Sequence, residues 1–150
     1  MTNNQVDCET TTYENPWCLN GAPFYSSNID DNVGFVYLIT NTLTNKKYIG
    51  KKTFFNTKRV KVKNRKNRTI KRSESDWKSY YGSSDLLSAD VQQHGNHNFK
   101  REILRLCKTK SLASYYEARE QMMSDCLLKE DYYNTWISVR VHRTGVNAKR

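Results

Sequence analysis

The chain has 150 residues, 37% of them hydrophobic, and a formal net charge of +10. That is room for one domain, or one domain with an arm, around a modest core. No run reaches the roughly 18 apolar residues of a membrane span, and no charged-then-apolar leader opens the chain, which argues for a cytoplasmic protein with no membrane association.

Cys8, Cys18, Cys107 and Cys126 are scattered with no CxxC, and the only histidines are His94, His97 and His142. That pattern argues against a structural zinc site and for reduced thiols. The charge is concentrated. Residues 1–33 hold five acids and no Lys or Arg, whereas residues 46–72 hold thirteen Lys or Arg and no acid. So dense a basic block attracts a polyanion by counterion release.

In chain order, residues 1–33 are polar, carry Pro16 and Pro23, and show no periodicity. They read as an acidic N-terminal extension held at most by Trp17, Phe24 and Tyr25. Gly34 to Thr40 is a short run of β-formers and predicts a buried strand. Asn41 to Asn45 is turn chemistry, and Lys46 to Gly50 is the return strand of a hairpin. The block from Lys58 to Arg72 has no helical stripe and reads as a loop or irregular ribbon. Ser83 or Ser84 caps a helix over about 85–93, stopped by Gly95. Phe99 to Cys107 is a third strand. Ser111 caps the longest helix, about 112–128, with a stripe of Leu112, Tyr115, Tyr116, Met122, Met123, Cys126 and Leu127. Trp136 to Val141 alternates weakly, as a short strand would.

Tyr37 and Tyr48 lie on the two arms of the hairpin. A four-residue loop at 41–44 pairs position 40 with 45 and so Tyr37 with Tyr48, setting two phenols side by side on one face. By itself such a pair is ordinary sheet packing.

The order of motifs adds to this. Gly34-Phe35-Val36-Tyr37, ten residues, then Tyr48-Ile49-Gly50 resembles the paired motifs of the GIY-YIG endonucleases. His94-Gly95-Asn96, Phe99 and Ile103-Leu104 are similar to the helix-to-strand segment of the phage homing endonucleases in that family. A helix carrying Glu117, followed by Tyr133-Asn134, is similar to its glutamate helix and closing asparagine. The resemblance covers about residues 34–134. It implies an α+β fold: a small three-stranded antiparallel sheet flanked by helices, with a basic insertion after the second strand. The division that follows is an extension at 1–33, a nuclease domain at 34–137 with an insertion at about 58–75, and a basic tail at 138–150.

The resemblance also implies a metal-dependent DNA endonuclease, of a free-standing phage-type homing kind, acting on double-stranded DNA. The location would be the host cell cytoplasm if the chain is phage-encoded. One divalent ion, Mg²⁺ or Mn²⁺, would be held by a single glutamate, since hard cations suit carboxylate and phosphate oxygens. Tyr37 is then the candidate general base, and Tyr48 positions the water or the phosphate. A phenol with a pKa near 10 is a poor base unless cations stabilise the phenolate.

Two positions stay open. On a helical wheel Glu120 lies at the edge of the apolar stripe and Glu117 on the far side, which favours Glu120 as the ligand. The family pattern of an aromatic, Glu, then Gln four positions on favours Glu117, which is preferred, with Glu120 as runner-up. Arg59 falls in the window of the family's catalytic arginine, and Lys52 is the alternative, without the bidentate fork of a guanidinium. Asn134 is expected to orient the glutamate. Lys51, Lys58, Lys61, Lys63, Arg65, Lys66, Arg68, Lys71 and Arg72 are the candidate DNA contacts, mostly to phosphates. Tyr80 or Trp77 is available to stack on an unpaired base.

About sixteen residues follow Asn134, too few for a separate DNA-reading module. Specificity is therefore expected from the basic insertion, the extension or a homodimer. Other readings are a non-catalytic nucleic-acid-binding protein on the same scaffold, a restriction or repair nuclease, and an unrelated basic RNA-binding protein.

Overall fold

The computed structural model describes residues 12–148. Its centre is an antiparallel triad: β3 (Gly34–Asn41) lies between β4 (Lys47–Thr53) and β7 (Phe99–Cys107). The triad is extended beyond β7 by β1 (Cys18–Leu19), which runs parallel to it, and then by β2 (Ala22–Pro23). The sheet is thus five-stranded and mixed, in the order β2-β1-β7-β3-β4, rather than three-stranded. A second sheet is a two-stranded hairpin of β5 (Phe55–Val60) and β6 (Thr69–Glu74). The helices are α1 (Asp85–His94), α2 (Lys110–Met123) and the short α3 (Arg143–Asn147).

Strand β3 is covered on both sides, which explains its unbroken apolar run. Phe35, Tyr37 and Ile39 join Trp17, Phe24, Phe54, Trp77, Leu87, Phe99, Ile103 and Tyr133 in one cluster. Val36 faces the other way, with Ile49, Cys107, Leu112 and Ala113 beneath α2.

The segment read as an extension is built into the first cluster. Trp17 is fully buried and its indole N–H donates to Trp77 O at 2.7 Å. Arg101 of β7 is also buried, and a buried guanidinium must find acceptors. It donates to Glu14 O, Asn15 O and Tyr80 O, and its plane lies over the Trp17 and Tyr81 rings. The polar composition of residues 12–33 hid a docking peptide whose carbonyls serve an arginine about 86 residues later. Five acids were counted in residues 1–33; Asp7 and Glu9 lie outside the described residues.

The hairpin register also differs from expectation. Asn41 N donates to Lys46 O and Asn45 N to Asn41 O, while the Asn41 side chain accepts from Leu43 N. The loop keeps four residues but begins at Thr42, one position later. Tyr37 therefore pairs with Gly50, and Tyr48 with Ile39. A two-residue shift preserves parity, so both tyrosines still project from one face.

Helix α1 is capped by Ser84, whose hydroxyl accepts from Leu87 N, and ends before Gly95, where φ is +86°. Helix α2 starts earlier than expected, capped by Thr109 rather than Ser111, and stops at Met123 rather than Leu128, with Asp125 in a left-handed turn. Its stripe is only partly the expected one: Leu112 and Cys126 are buried and Tyr116 is half-buried. Tyr115, Met122, Met123 and Leu127 are exposed, and the helix buries Leu112, Ala113, Ala118 and Gln121. Small alanines let it lie close on β3 and β4, so the packing row is set by shape rather than by the largest apolar side chains.

Trp136 to Val141 forms no strand; the tail instead turns into α3, and Val146 packs beside the α2 cluster. The basic block is more regular than a loop, with six consecutive cross-strand pairs from Phe55↔Glu74 to Val60↔Thr69.

Candidate active site

The two hairpin tyrosines meet at the outer edge of β4. Their ring centroids are 6.1 Å apart with planes inclined at 37°. Tyr37 points from β3 across its neighbour strand, directly over Gly50. A Cβ at position 50 would lie 2.6 Å from Tyr37 Cζ and 3.0 Å from Tyr48 Cε1, and closer still to the Tyr37 hydroxyl. The glycine is therefore required by the crossing phenol. Gly50→Ala is expected to destabilise the fold by about 1–3 kcal/mol through overpacking, read as a lower urea midpoint.

Tyr37 is almost completely buried, with Tyr80 edge-on at 6.0 Å. Burial pushes its phenol well above the ordinary value, and Tyr80, Tyr48 and Glu117 push the same way. Tyr48 is half-buried, and its hydroxyl is 2.9 Å from Ser83 Oγ. Desolvation raises its pKa too, opposed by the bond to Ser83. Both phenols carry their protons at neutral pH in this arrangement.

Glu117 approaches from the helix side of the same edge. It belongs to the row of α2 that faces the sheet, so the far-side placement from the wheel does not hold. Oε1 accepts from Gln121 Nε2 at 3.3 Å, and Oε2 lies 3.6 Å from Lys51 Nζ. Lys51 in turn donates to Ser114 Oγ at 2.6 Å. Burial raises the Glu117 pKa, opposed by Lys51. The carboxylate charge is felt by both phenols, so the three groups share one electrostatic neighbourhood. Glu120 is half-buried on the same helix and outside the Lys51–Gln121 grouping.

Asn134 does not touch the glutamate. It clamps the Ile49 peptide, accepting from Ile49 N at 3.0 Å and donating to Ile49 O at 2.8 Å. Gln121 Nε2 donates to that same carbonyl at 3.0 Å. The orienting role expected of Asn134 therefore falls to Gln121, which ties the carboxylate to the β4 backbone. The signal for it was the Glu-x-x-x-Gln spacing, one turn apart on a helix.

Lys52 lies against Tyr80, which packs on Tyr37, and Arg59 is not in this grouping. Lys52 Nζ is 2.6 Å from Asp76 Oδ1 and 4.0 Å from the centre of the Tyr80 ring, one ring removed from Tyr37. The contact with Lys52 holds the Asp76 carboxyl below its usual range. Arg59 is exposed on β5, in a sheet separate from the one that carries the tyrosines. The insertion carries it away, because β5 begins two residues after β4 ends. The proposed base-stacking role fails for Trp77, which is fully buried.

Of the nine candidate DNA contacts, Lys58, Lys61, Lys63, Arg65, Lys66, Arg68, Lys71 and Arg72 are exposed together on the β5–β6 hairpin. Lys51 is set apart at Glu117. His94 is the last residue of α1, and His97 is exposed on the following turn.

A cleft of about 440 Å³ opens beside Tyr48, lined by Ser83, Ser84, Asp85, Asn134 and Trp136 among others. Among the described residues no group of three or more His, Cys, Asp or Glu forms a ready cage for a metal. The donor set is one carboxylate, Glu117, whose side chain is 19% exposed and is paired with Lys51. That fits a hard, largely hydrated ion of the Mg²⁺ type, which takes one or two carboxylates and completes its shell with water and phosphate.

Residues 17–137 match the family described as "Putative endonuclease segE, GIY-YIG domain". A curated relative, "Putative endonuclease segE" of Enterobacteria phage T4, is 32% identical over 102 residues. The aligned region is 67% of this chain and 39% of the relative, so the chain spans well under half the relative's length. No solved structure matches the chain significantly.

Proposed function

The chain belongs to the GIY-YIG endonuclease family, and on that premise we propose that it is a metal-dependent endonuclease hydrolysing phosphodiester bonds of double-stranded DNA. The observation that carries the reading is that Tyr37 and Tyr48 pack together over Gly50 while the Glu117 charge acts on both phenols. The phage relative favours a phage-type enzyme, and a free-standing homing role is part of the proposal, as is action in the cytoplasm of a host cell.

Glu117 would hold the divalent ion, Mg²⁺ or Mn²⁺, which when bound supplies Lewis-acid stabilisation of charge on the phosphate. The protein's own groups do the rest. Gln121 and the Ile49 carbonyl fix the Glu117 rotamer. Asn134 fixes the strand edge on which Tyr48 is mounted. Tyr48, anchored on Ser83, offers a hydroxyl at the cleft to position the water or the phosphate.

Tyr37 lies deeper and holds its proton firmly. It serves as a general base only with a cation near enough to favour the phenolate, and otherwise as a hydrogen-bond donor. Lys52, acting across Tyr80, is the cation that this site offers in place of the family's arginine. The hairpin cations grip the DNA backbone, which is expected to make binding strongly salt-dependent. One site per chain cuts both strands only by successive nicks or as a homodimer.

Supercoiled plasmid with Mg²⁺ tests the reading. The wild type is expected to convert it to nicked circles, and Tyr37→Phe to slow this by roughly 10²-fold, the lower end for loss of one acid–base group. Lys52→Met is expected to lower turnover, and Arg59→Ala to change DNA affinity alone. The displacement of Arg59 from the tyrosines favours one other reading, a DNA-binding protein without catalysis. Binding without nicking by the wild type under Mg²⁺ and Mn²⁺ would establish that alternative.

A further inference from the structure

The β5–β6 hairpin is an unusual object to find on the surface. Residues 55–74 carry nine Lys or Arg and a single acid, Glu74. None of the nine cations forms an ion pair among the described residues. Glu74 is turned back into the domain, accepting from Ser26 Oγ and the Trp77 indole. A two-stranded ribbon is marginal in water, and like charges directly opposite one another weaken it further. Yet Lys58 and Lys71 are a direct cross-strand pair.

The two faces of the ribbon differ. One carries Phe55, Thr57 and Arg59 opposite Glu74, Arg72 and Ile70. The Arg72 guanidinium lies 3.5 Å above the Phe55 ring, and these two and Thr57 line a hollow with Val33, Thr109 and Lys110 of the main domain. The other face carries Asn56, Lys58 and Val60 opposite Ser73, Lys71 and Thr69. Its lysines, Asn56 and Ser73 are exposed. The first face is thus attached to the domain at its root, with Arg59 and Ile70 exposed at its far end, and the second is presented outward along its length, with the lysine pair at its centre and hydrogen-bonding side chains at its root.

We propose that this outward face is a β-ribbon reader that enters the major groove of duplex DNA, with Lys58 and Lys71 against phosphates and Asn56 and Ser73 towards base edges. The dimensions fit. Six-residue strands are about 20 Å long, and a groove about 12 Å wide admits a two-stranded ribbon. Backbone charge between Lys58 and Lys71 removes the repulsion that the free ribbon bears. Asn is suited to paired hydrogen bonds with adenine in that groove. The major groove of duplex RNA is too narrow for such an element. The inference rests on the DNA reading above but not on catalysis.

The test uses the full chain carrying Glu117→Gln, so that DNA is not consumed, and a 30-base-pair duplex of mixed sequence followed by fluorescence anisotropy. Lys58→Ser/Lys71→Ser is expected to weaken binding by 10-fold or more and to reduce the salt slope by about two, one for each lost phosphate contact. Circular dichroism of the double variant checks that it folds. Methyl green, which occupies the major groove, should displace the protein, and netropsin, which occupies the minor groove, should not.

An unchanged affinity and slope, displacement by netropsin alone, or equal binding to duplex RNA would each overturn the proposal. The nuclease reading fails separately. A wild type that binds through the ribbon yet never nicks sinks catalysis and spares the reader, and nicking that survives the double variant with unchanged binding does the reverse.

Discussion

Glu117→Gln is expected to reduce nicking by on the order of 10³-fold or more, while DNA affinity stays within a few-fold of the wild type. A metal held at a single carboxylate depends on that charge, and several kcal/mol of charge stabilisation correspond to about three powers of ten in rate. Gln has nearly the same shape and keeps an oxygen for the Gln121 amide, which now stands 3.3 Å away. Folding should therefore survive. Burial penalises the charged carboxylate and Lys51 opposes that penalty, so the neutral variant should melt near the wild type without metal. Mg²⁺ should then raise the melting temperature of the wild type and not of Glu117→Gln.

Glu120→Gln is the control, expected to cleave normally, since Glu120 lies outside the Lys51–Gln121 grouping. Lost cleavage in the Glu120 variant with cleavage retained in Glu117→Gln would reverse the assignment. The outcome is read as nicking rate, anisotropy and melting temperature on the same preparations.

Trp17→Ala is expected to cost about 3–5 kcal/mol, the range for a fully buried tryptophan. The indole is edge-on to Phe35 at 5.0 Å and tilted on Tyr37 at 5.1 Å, and it satisfies the Trp77 carbonyl. Its loss opens a cavity directly behind the proposed general base. Urea unfolding gives the stability, and nicking by the residual folded fraction should also fall, because Tyr37 loses one of its walls. A cost below about 1 kcal/mol would mean that residues 13–29 only lean on the domain.

These residues show why part of the fold was not legible. Residues 12–33 have neither a helical nor a strand period, because they are held by single anchors rather than by a continuous face. Trp17 is buried by β3, and Arg101 draws in the carbonyls of Glu14 and Asn15. No window of the chain contains both partners. Part of the α2 stripe failed for a related reason. Counting apolar side chains gave weight to Met122, Met123 and Leu127, whereas contact with the sheet selected Ala113, Ala118 and Gln121. That choice brought Glu117 to the β4 edge. Family likeness had pointed to Glu117 and the wheel had pointed to Glu120.

The sequence by itself determined the local elements: β3 and β7 from their apolar runs, the Ser84 cap and Gly95 stop of α1, and the basic block. It also determined that Tyr37 and Tyr48 share a face, because parity survives a two-residue shift. These are properties of periods, caps and charge, which act over a few residues. Tertiary structure decided between the two glutamates that family likeness and the helical wheel had divided, and it alone decided that Asn134 clamps Ile49 rather than the glutamate and that Lys52 rather than Arg59 lies against Tyr80 beside Tyr37. Each depends on the approach of elements far apart in the chain, whose geometry is set by packing. Gly50 joins the two levels: a single residue without a side chain, required because a phenol from the neighbouring strand passes over it.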